Sequence, residues 1–243
     1  MEFIVCDGAS TDKTLDIILN YSKKNKSIKV FSEKDNGMYE ALSKGIKNIS
    51  GNICAYINAG DFYYSHAFET VLDIMENDKC EWLTGLTTIA NEKSQIIDIK
   101  FPFKYRSKFI KYGYYGNQIL PFIQQESTFW KSSLNNSLDL EELSRLNYAG
   151  DYYIWSQLSK AAELKIIFSI LGIFKRHENQ LSENYGIYIK EINNFKKKSQ
   201  IAHVFNIPLI IYDKVIFKMP PKIKKILNNR GIYIFNYNLK RWE

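Results

Sequence analysis

The sequence has few of the residues from which disulfide frameworks and zinc sites are built. Its 243 residues include three cysteines, three histidines and five prolines. The cysteines, Cys6, Cys54 and Cys80, follow no metal-ligand spacing, and an odd number of cysteines is unusual in a secreted disulfide-bonded protein. We therefore expect free thiols in a reducing compartment, which indicates a cytoplasmic location.

Long hydrophobic runs are lacking as well. The strongest apolar stretch, residues 166–174, falls well short of the roughly 20 residues that a membrane-spanning helix needs. The first five residues place no basic segment ahead of a long apolar run, so they do not follow the pattern of a signal peptide. The sequence therefore predicts neither an export signal nor a transmembrane helix.

The composition is that of a folded protein with an anionic partner. Hydrophobic residues make up 45% of the chain and charged residues 24%, values that are typical of globular domains. The formal net charge of +7 indicates nucleic acid, an acidic membrane surface or a phosphorylated small molecule as a partner. Zinc-finger spacing, a helix-turn-helix pattern and an RNA-recognition aromatic signature are lacking, which argues against nucleic acid.

The first part of the chain alternates predicted strands and helices. Residues 3–6, 28–31 and 53–57 have the apolar pattern of buried strands, and the last run is continuous, as in a parallel strand buried on both faces. A polar loop follows each strand, and these loops contain Asp7, Asp35 and Asp61. Because ligands of open α/β sheets bind at the carboxyl ends of the strands, we expect the three acidic loops to share one cleft.

The pattern changes near residue 182. Before it, residues 82–90 and 95–100 are predicted strands, residues 122–130 a strand or loop, and residues 152–162 a helix. After it, basic, aromatic and amphipathic segments follow, which predicts a main α/β domain over residues 1–182 and a basic, mainly helical accessory region over residues 183–243. The lysines of that region include Lys190, Lys196, Lys197, Lys198, Lys222, Lys224 and Lys225.

Six blocks of sequence occur in an informative order. They are residues 5–12 (VCDGASTD), 32–41 (SEKDNGMYEA), 57–61 (INAGD), 122–129 (FIQQESTF), 148–152 (YAGDY) and 174–182 (FKRHENQLS). In these blocks the chain resembles family 2 glycosyltransferases of the nucleotide-diphospho-sugar transferase fold. The resemblance implies that residues 1–182 are a Rossmann-like GT-A catalytic domain, with a mostly parallel central sheet and flanking helices.

The resemblance also implies which residues contact the nucleotide sugar, namely Asp7, Asp35, Asn58 and Asp61. A carboxylate at a strand end can accept a hydrogen bond from a pyrimidine imide or a ribose hydroxyl, which suits Asp7. Structural roles are the alternative. Asp7 and Asp12 can form an Asx turn and a helix N-cap, and Asp35 can belong to a plain turn between strand and helix.

A divalent metal, Mn²⁺ or Mg²⁺, is a further implication of the resemblance. The family's metal motif usually carries spaced aspartates, whereas here Asn58 and Gly60 stand in their place and leave Asp61 as the one carboxylate of the motif. His177 is the further metal ligand that the resemblance implies, with a structural histidine as the alternative. We expect phosphates and water to complete the coordination.

Asp151 matches the position of the family's catalytic base. Sugar transfer with inversion needs one general base to deprotonate the acceptor hydroxyl. Asp151 lies just before a predicted helix, where an N-cap is its alternative role, and the two roles can coexist. Gln124, Gln125 and Glu126 lie where the resemblance places contacts to the acceptor or the sugar, and a polar loop has the same pattern.

The expected activity is inverting transfer of a sugar from a nucleoside-diphosphate sugar to a hydroxyl, with a UDP-sugar as the expected donor. The expected acceptor is a glycan or a lipid-linked molecule of cell-surface polysaccharide or lipopolysaccharide assembly. The basic region is expected to lie on an anionic membrane at the inner face of the cell membrane, with a solvated helix face as the alternative.

The family's first strand has no counterpart ahead of Phe3. The domain is therefore expected to be N-terminally incomplete, with sheet edges that the strand would otherwise cover. Two other functions stay open on this ground. One is a degenerate transferase that binds a nucleotide sugar without turnover, and the other is a basic, membrane-associated scaffold. Donor hydrolysis separates the first from an enzyme, and liposome binding without nucleotide binding identifies the second.

Overall fold

The computed structural model describes residues 1–102, 104–116, 120–177, 180, 184–195, 200–220, 223, 226–227 and 231–243. In the predicted accessory region, most of residues 220–229 lie outside the described residues, and so do Lys196, Lys197, Lys198, Lys222, Lys224 and Lys225. The described residues form an α/β fold, which confirms the predicted class.

The first two strands form a small parallel sheet. Strand β1 (Phe3–Asp7) pairs with β2 (Ile28–Ser32), so that Asp7 lies opposite Ser32 at the carboxyl end of the sheet. Helix α1 (Thr14–Lys24) supplies the crossover that parallel pairing requires. The strands predicted at residues 3–6 and 28–31 are confirmed.

Seven of the described strands form the larger sheet. Its order is β3-β7-β5-β8-β4, and β6 and β9 pair with β5 and β8. The strands are β3 (Ile53–Cys54), β4 (Phe62–Tyr63), β5 (Trp82–Ala90), β6 (Ile96–Lys100), β7 (Thr128–Lys131), β8 (Lys165–Lys175) and β9 (Ile232–Tyr233). The strands predicted at residues 82–90 and 95–100 are thus confirmed as β5 and β6.

The larger sheet is mixed, which corrects the expectation of a mostly parallel one. Strands β5 and β8 are parallel, whereas β7 runs antiparallel to β3 and β5, and β4 runs antiparallel to β8. Strand β6 returns along β5 after a short turn at Asn91, and such a turn can join only antiparallel strands. An apolar run in the sequence carries no information about strand direction, so the pattern alone did not reveal the mixture.

Strand β3 also differs from its prediction. Only Ile53–Cys54 pair, antiparallel to β7 at one end of the sheet, where the pattern of residues 53–57 predicted a longer parallel strand. Within the described part of the chain, β1 pairs only with β2 and β3 only with β7. The small parallel sheet and the larger sheet therefore each have an edge strand from the first quarter of the chain.

Helices and short 3₁₀ segments surround the sheets. The helices are α2 (Met38–Lys47), α3 (Ala67–Asn77), α4 (Ser107–Lys111), α5 (Leu140–Ser144), α6 (Gly150–Leu158), α7 (Tyr185–Phe195) and α8 (Gln200–Phe217). A 3₁₀ helix (Gln125–Ser127) precedes β7 and a second one (Ser132–Ser137) follows it, which accounts for the mixed pattern of residues 122–130. A hairpin of β10 (Phe235–Asn236) and β11 (Arg241–Trp242) lies near the end of the chain.

Three buried tryptophans fix α6 against the larger sheet. Trp82 of β5 stacks on Trp155 of α6 with ring centroids 5.8 Å apart, and Trp130 of β7 meets Trp155 edge-on at the same distance. All three side chains are essentially fully buried. Because aromatic pairs add directional contacts to the burial of a large apolar area, this cluster holds α6 against the sheet at Trp155.

Residues beyond 182 contact those before it. Strand β9 pairs with β8, and the fully buried Asp213 of α8 accepts two hydrogen bonds from the Arg106 guanidinium, at 2.5 and 2.6 Å. The division of the chain at residue 182 stays a prediction. No helix among the described residues is long and apolar enough to cross a membrane.

Candidate active site

The Asp7 carboxylate at the end of β1 is held by hydroxyl groups. It accepts hydrogen bonds from the Ser10 hydroxyl at 2.5 Å, from the Ser32 hydroxyl at 2.6 Å and from the Ser10 backbone N–H at 3.1 Å. These bonds favour the charged form, and they lower the pKa of Asp7, with the Ser10 hydroxyl as the largest cause. The carboxylate therefore joins the ends of both strands of the small sheet.

The loop after β2 meets the loop after β1. The Asp35 carboxylate accepts a hydrogen bond from the Gly37 N–H at 3.0 Å, and a Cβ atom at Gly8 would lie 3.0 Å from Asp35 Oδ2. The two predicted nucleotide-side residues thus lie in adjacent loops, which we call the Asp7–Asp35 loops. Asp12, whose alternative role was a helix N-cap, accepts a hydrogen bond from the Thr14 N–H at 2.9 Å, but the N-cap residue of α1 is Lys13.

Tyr39 links these loops to Asp151. It lies in the first turn of α2, directly after the Asp35 loop, and its hydroxyl donates to the Tyr148 carbonyl at 3.1 Å. The ring packs so closely on Gly150 that a Cβ atom there would overlap it. Glycine is therefore required at position 150 for the residue before Asp151 to reach the Tyr39 ring.

Asp61 lies in the turn that follows β3. Its backbone N–H donates to the Asn58 carbonyl at 3.1 Å, and its Oδ1 accepts from the Lys175 N–H at 2.8 Å, at the carboxyl end of β8. The Asn58 side chain donates to Gln125 Oε1 at 3.3 Å. The last two of these hydrogen bonds connect the segment between β3 and β4 to β8 and to the 3₁₀ helix ahead of β7.

Asp61 and His177 are close enough to interact electrostatically. Burial raises the pKa of Asp61 to about 6, and the nearby imidazole of His177 opposes that rise. An oxygen from Asp61 and a nitrogen from His177 fit a divalent cation only in part, because Mg²⁺ and Mn²⁺ take more oxygen ligands than this pair supplies. Among the described residues, no group of three or more histidine, cysteine, aspartate or glutamate side chains is arranged to hold a metal.

Glu126 is the most deeply buried of the neighbouring acids. Its side chain is 5% exposed, and burial raises its pKa to about 8, with further increases from the charges of Asp61 and Asp151. A Cβ atom at Gly172 of β8 would overlap the Glu126 backbone, so the glycine lets the 3₁₀ helix lie directly on β8. We refer to Asp61, Glu126 and Asp151 together as the acidic cluster.

Asp151 lies inside the first turn of α6, not at its N-cap. The helix begins at Gly150, two residues earlier than predicted, and the N-cap residue Ala149 makes no side-chain cap. The Asp151 carboxylate accepts from the Tyr152 N–H at 2.7 Å and from the Tyr188 hydroxyl at 3.4 Å. Loss of hydration inside the protein raises the pKa of Asp151 to about 6, although these two donors oppose the rise.

The predicted site residues therefore fall into two groups. Asp7 and Asp35 lie together at the end of the small sheet, while Asn58, Asp61, His177 and Asp151 lie at the ends of β3, β8 and α6. Among the described residues, no hydrogen bond or ion pair joins the carboxylates of the Asp7–Asp35 loops to the acidic cluster. The connection passes through Tyr39.

Four residues near Asp151 were not singled out from the sequence. Burial raises the pKa values of Tyr39 in α2, Tyr56 after β3 and Tyr188 in α7, and the Asp151 charge raises them further. The Glu191 charge of α7 raises the pKa of Asp151. Tyr39 lies in the block of residues 32–41, whereas no short motif marks Tyr56, Tyr188 or Glu191. The signal that points to them is the tyrosine content, 17 in the chain, combined with the 3.6-residue period that places Tyr188 and Glu191 on one helix face.

The fold is similar to that of a solved glycosyltransferase-type structure, S. aureus TarS 1–349 in complex with UDP-GlcNAc. The TM-score is 0.56 at 13% identity, and the match covers 75% of this chain and 52% of that one. An identity this low shows the fold alone. The protein therefore has the GT-A fold that the sequence blocks implied.

The chain belongs to glycosyl transferase family 2, whose sequence profile matches residues 1–135. An uncharacterized glycosyltransferase of Haemophilus influenzae is 27% identical over 220 residues, which is 85% of this chain and 66% of that protein. The putative teichuronic acid biosynthesis glycosyltransferase TuaG of Bacillus subtilis is 29% identical over 37% of each chain.

Some relatives are much longer than this chain. An uncharacterized glycosyltransferase of Rickettsia felis is 27% identical over 124 residues, which cover 51% of this chain and 19% of that protein. The chain thus spans about a fifth of that relative and about half of the TarS chain.

Proposed function

We propose that the protein transfers a sugar from a nucleoside-diphosphate sugar to an acceptor hydroxyl with inversion at the anomeric carbon. One observation carries this proposal: Asp61, Glu126 and Asp151 come from three separate segments and lie close enough that Glu126 senses the charge of both aspartates. Assembling acids with raised pKa values in one place costs stability, which favours a functional role for the group.

Asp151 is proposed as the general base. Its pKa of about 6 leaves the carboxylate charged and ready to accept a proton at neutral pH. In the proposed step the acceptor oxygen forms a bond to the anomeric carbon, while the bond from that carbon to the diphosphate oxygen breaks and the diphosphate leaves with the electron pair. The acceptor proton moves to the Asp151 carboxylate, which yields one product with inverted configuration.

Asp61 and His177 are the residues that would hold a divalent metal, Mn²⁺ or Mg²⁺. Such an ion neutralises the charge on a departing diphosphate when it is bound. The partial fit of the pair leaves room for phosphate and water oxygens. On the protein side, the bond from the Lys175 N–H fixes one oxygen of Asp61 and so orients the other.

The Asp7–Asp35 loops and Asn58 are proposed to hold the nucleotide and its sugar. The loops lie at the carboxyl end of parallel strands, where α/β sheets bind ligands. The solved TarS complex contains UDP-GlcNAc, which supports a UDP-sugar as donor. The name of the B. subtilis relative supports an acceptor in cell-surface polysaccharide assembly, either a glycan or a lipid-linked molecule.

We further propose peripheral binding to the anionic inner face of the cell membrane through α8. Among residues 206–216 of this helix, most of the exposed positions are apolar: Ile207, Leu209, Ile211, Tyr212 and Val215. Lys214 lies among them and Lys218 follows the helix, which complements an anionic lipid surface. Cosedimentation with phosphatidylserine vesicles, but not with neutral vesicles, is expected, and Ile211→Asp should abolish it.

The experiment that tests donor binding is thermal unfolding with Mn²⁺ and a panel of nucleoside diphosphates. A ligand selective for the native state raises Tm, so a stabilising nucleotide identifies the donor class. We expect UDP with Mn²⁺ to raise Tm and Asp61→Asn to remove the part of the increase that depends on Mn²⁺. Asp16→Asn, the same change at an exposed position of α1, serves as the matched control.

The outcome also separates the alternatives. Nucleotide binding without hydrolysis or transfer of UDP-GlcNAc would identify a degenerate binding module. Vesicle binding without any nucleotide effect on Tm would identify a membrane-associated scaffold. Neither result is compatible with the proposed transferase.

A further inference from the structure

Helix α7 is bonded to the segment that leads into α6. The Glu191 carboxylate of α7 accepts three backbone hydrogen bonds, from the N–H groups of Asn147 at 2.9 Å, Tyr148 at 2.8 Å and Ala149 at 2.5 Å. Backbone N–H groups that are removed from water need another hydrogen-bond acceptor, and the Glu191 carboxylate supplies it here. One side chain of α7 therefore sets the course of the residues directly before Asp151.

A second side chain of α7 reaches Asp151 itself. Tyr188, one turn ahead of Glu191, donates its hydroxyl to Asp151 Oδ2 at 3.4 Å. The other oxygen, Oδ1, accepts from the Tyr152 N–H. The two donors together fix both oxygens of the carboxylate, and one of them comes from outside the segment that carries it.

Hydrophobic contacts hold α7 in place. Ile192 is fully buried together with Ala149 and Tyr152, which lie on either side of Asp151 in the chain. The Tyr188 ring also packs edge-on against Phe122 with centroids 5.5 Å apart. The helix is thus packed against the Asp151 segment over more than one turn.

We propose that Tyr188 and Glu191 are positioning residues for Asp151, so that helix α7 is part of the active site and not a separate accessory element. This inference rests on the proposed role of Asp151 as the general base. Glu191 holds the backbone that carries Asp151, and Tyr188 holds the carboxylate oxygen that does not bond to α6. Neither residue contacts the reacting atoms in this proposal.

Several ionisable groups surround the Asp151 carboxylate. Tyr39 faces it from α2, Tyr56 from the segment after β3, Glu126 from the 3₁₀ helix, and Tyr188 and Glu191 from α7. The tyrosines stay neutral at physiological pH because burial raises their pKa values further. The Glu191 charge raises the pKa of Asp151, and the Tyr188 hydrogen bond lowers it.

The Tyr188→Phe variant tests the carboxylate contact. Loss of the donor should raise the pKa of Asp151 and move the acid limb of the rate profile for UDP-GlcNAc hydrolysis or transfer upward by about half to one pH unit. Activity should fall several-fold near pH 6 and recover above pH 8, with KM unchanged. Tyr185→Phe is the control, because it removes a buried hydroxyl from the same helix that has no hydrogen-bond partner among the described residues.

The Glu191→Ala variant tests the backbone contact. It leaves three N–H groups without their acceptor and should lower kcat at least tenfold while the Tm increase caused by UDP is retained. Glu191→Gln keeps one acceptor oxygen for the Tyr148 and Ala149 N–H groups and should recover part of the loss. The exposed Asn193→Ala on the same helix should have no effect.

A direct measurement separates this inference from the proposed function. The ¹³C-carboxyl resonance of Asp151, assigned by its disappearance in Asp151→Asn, should titrate near pH 6 and shift upward in Tyr188→Phe. If the resonance shifts in Tyr188→Phe but Asp151→Asn keeps full activity or the wild type has none, α7 positions the carboxylate and the general-base role is wrong. If Asp151→Asn is inactive but Tyr188→Phe changes neither the resonance nor the pH profile, the positioning role of Tyr188 is overturned. Unaltered kcat in Glu191→Ala overturns the role of Glu191.

Discussion

The Asp7–Asp35 loops and the acidic cluster use the same kinds of side chain in opposite electrostatic states. Hydroxyl donors from Ser10 and Ser32 lower the pKa of Asp7, whereas burial raises the pKa values of Asp61 and Asp151 to about 6 and that of Glu126 to about 8. A carboxylate with enough donors is stable as an anion. One that is surrounded by protein with few donors favours binding a proton or a cation instead.

We infer two different tasks for the two regions from this contrast. The Asp7 carboxylate accepts hydrogen bonds from Ser10 in its own loop and from Ser32 at the end of β2. These bonds join β1 to β2 and give the loop a defined shape before a ligand binds. Asp61 and Asp151 each have few donors and are therefore suited to interact with a metal or an acceptor proton. Hydrogen bonds thus fix the shape of the Asp7–Asp35 loops, whereas the carboxylates of the acidic cluster have few donors to stabilise their charge.

The largest expected effect comes from Asp151→Asn. An amide cannot accept the acceptor proton, so turnover of UDP-GlcNAc should fall by about a thousandfold, within the range for removal of a general base. The Tm increase caused by UDP with Mn²⁺ should remain, because other residues are proposed to bind the donor. Asp7→Asn is the comparison in the other region and should weaken the UDP effect on Tm.

Full turnover in Asp151→Asn would show that Asp151 is not the general base, and the functional contrast between the two regions would then be wrong as well. Loss of the UDP effect in the same variant would show instead that Asp151 is needed for donor binding.

The second effect concerns stability and is expected from Glu126→Gln. Because folding raises the pKa of Glu126 from its ordinary 4.5 to about 8, its protonated form stabilises the fold at low pH. That stability is lost as pH rises through this window, at a rate of at most about 1.4 kcal/mol per pH unit. Glu126→Gln stays neutral, so its free energy of unfolding should fall less between pH 5 and pH 9 than that of the wild type.

Urea denaturation across this pH range measures the difference. Glu92→Gln, at an exposed position in the turn after β5, is the matched control and should follow the wild type. Parallel pH dependence in wild type and Glu126→Gln would show that Glu126 is charged in the fold and that the acidic cluster resembles Asp7 after all.

The smallest effect is expected from Ser32→Ala. The variant removes one of the hydroxyl donors to Asp7, which should move the pKa of Asp7 upward and lower Tm at neutral pH by about 2 °C. The contribution of a carboxylate with a lowered pKa is present above its unfolded pKa and disappears as pH falls through the folded value. The difference from wild type should therefore vanish in acid.

Ser27→Ala, just ahead of β2, controls for the loss of a hydroxyl at an exposed position. A Ser32→Ala protein as stable as wild type at every pH would mean that Asp7 does not depend on the Ser32 hydroxyl, and the contrast in hydrogen-bond donors between the two regions would then be wrong.

The sequence predicted the elements of the fold better than their arrangement. The apolar runs at residues 3–6, 28–31 and 82–90 correspond to strands, because a buried strand needs apolar side chains wherever it lies in a sheet. The run at residues 53–57 gave a strand of two residues, because pairing with β7 and not apolar character decides where β3 ends. The mixed strand directions likewise result from strand pairing and not from apolar character.

For the candidate site residues, too, the sequence revealed local motifs but not contacts between distant segments. Asp61 and Asp151 stand in short motifs with glycine neighbours and could be selected from the sequence. Tyr188 and Glu191 lie outside the six sequence blocks, so the sequence alone did not single them out. Their relation to Asp151 exists only because α7 packs against the segment before α6.

The sequence by itself determined the α/β class, the positions of the acidic loops and, through ordered motifs, the family. Those properties depend on local pattern and on neighbours in the chain. Only the tertiary structure decided which carboxyls are charged and which helix holds Asp151, since a pKa depends on burial and on donors that come from distant segments. Ser32 lies 25 residues from Asp7, and Tyr188 lies 37 residues from Asp151, and the fold brings each donor to its carboxylate.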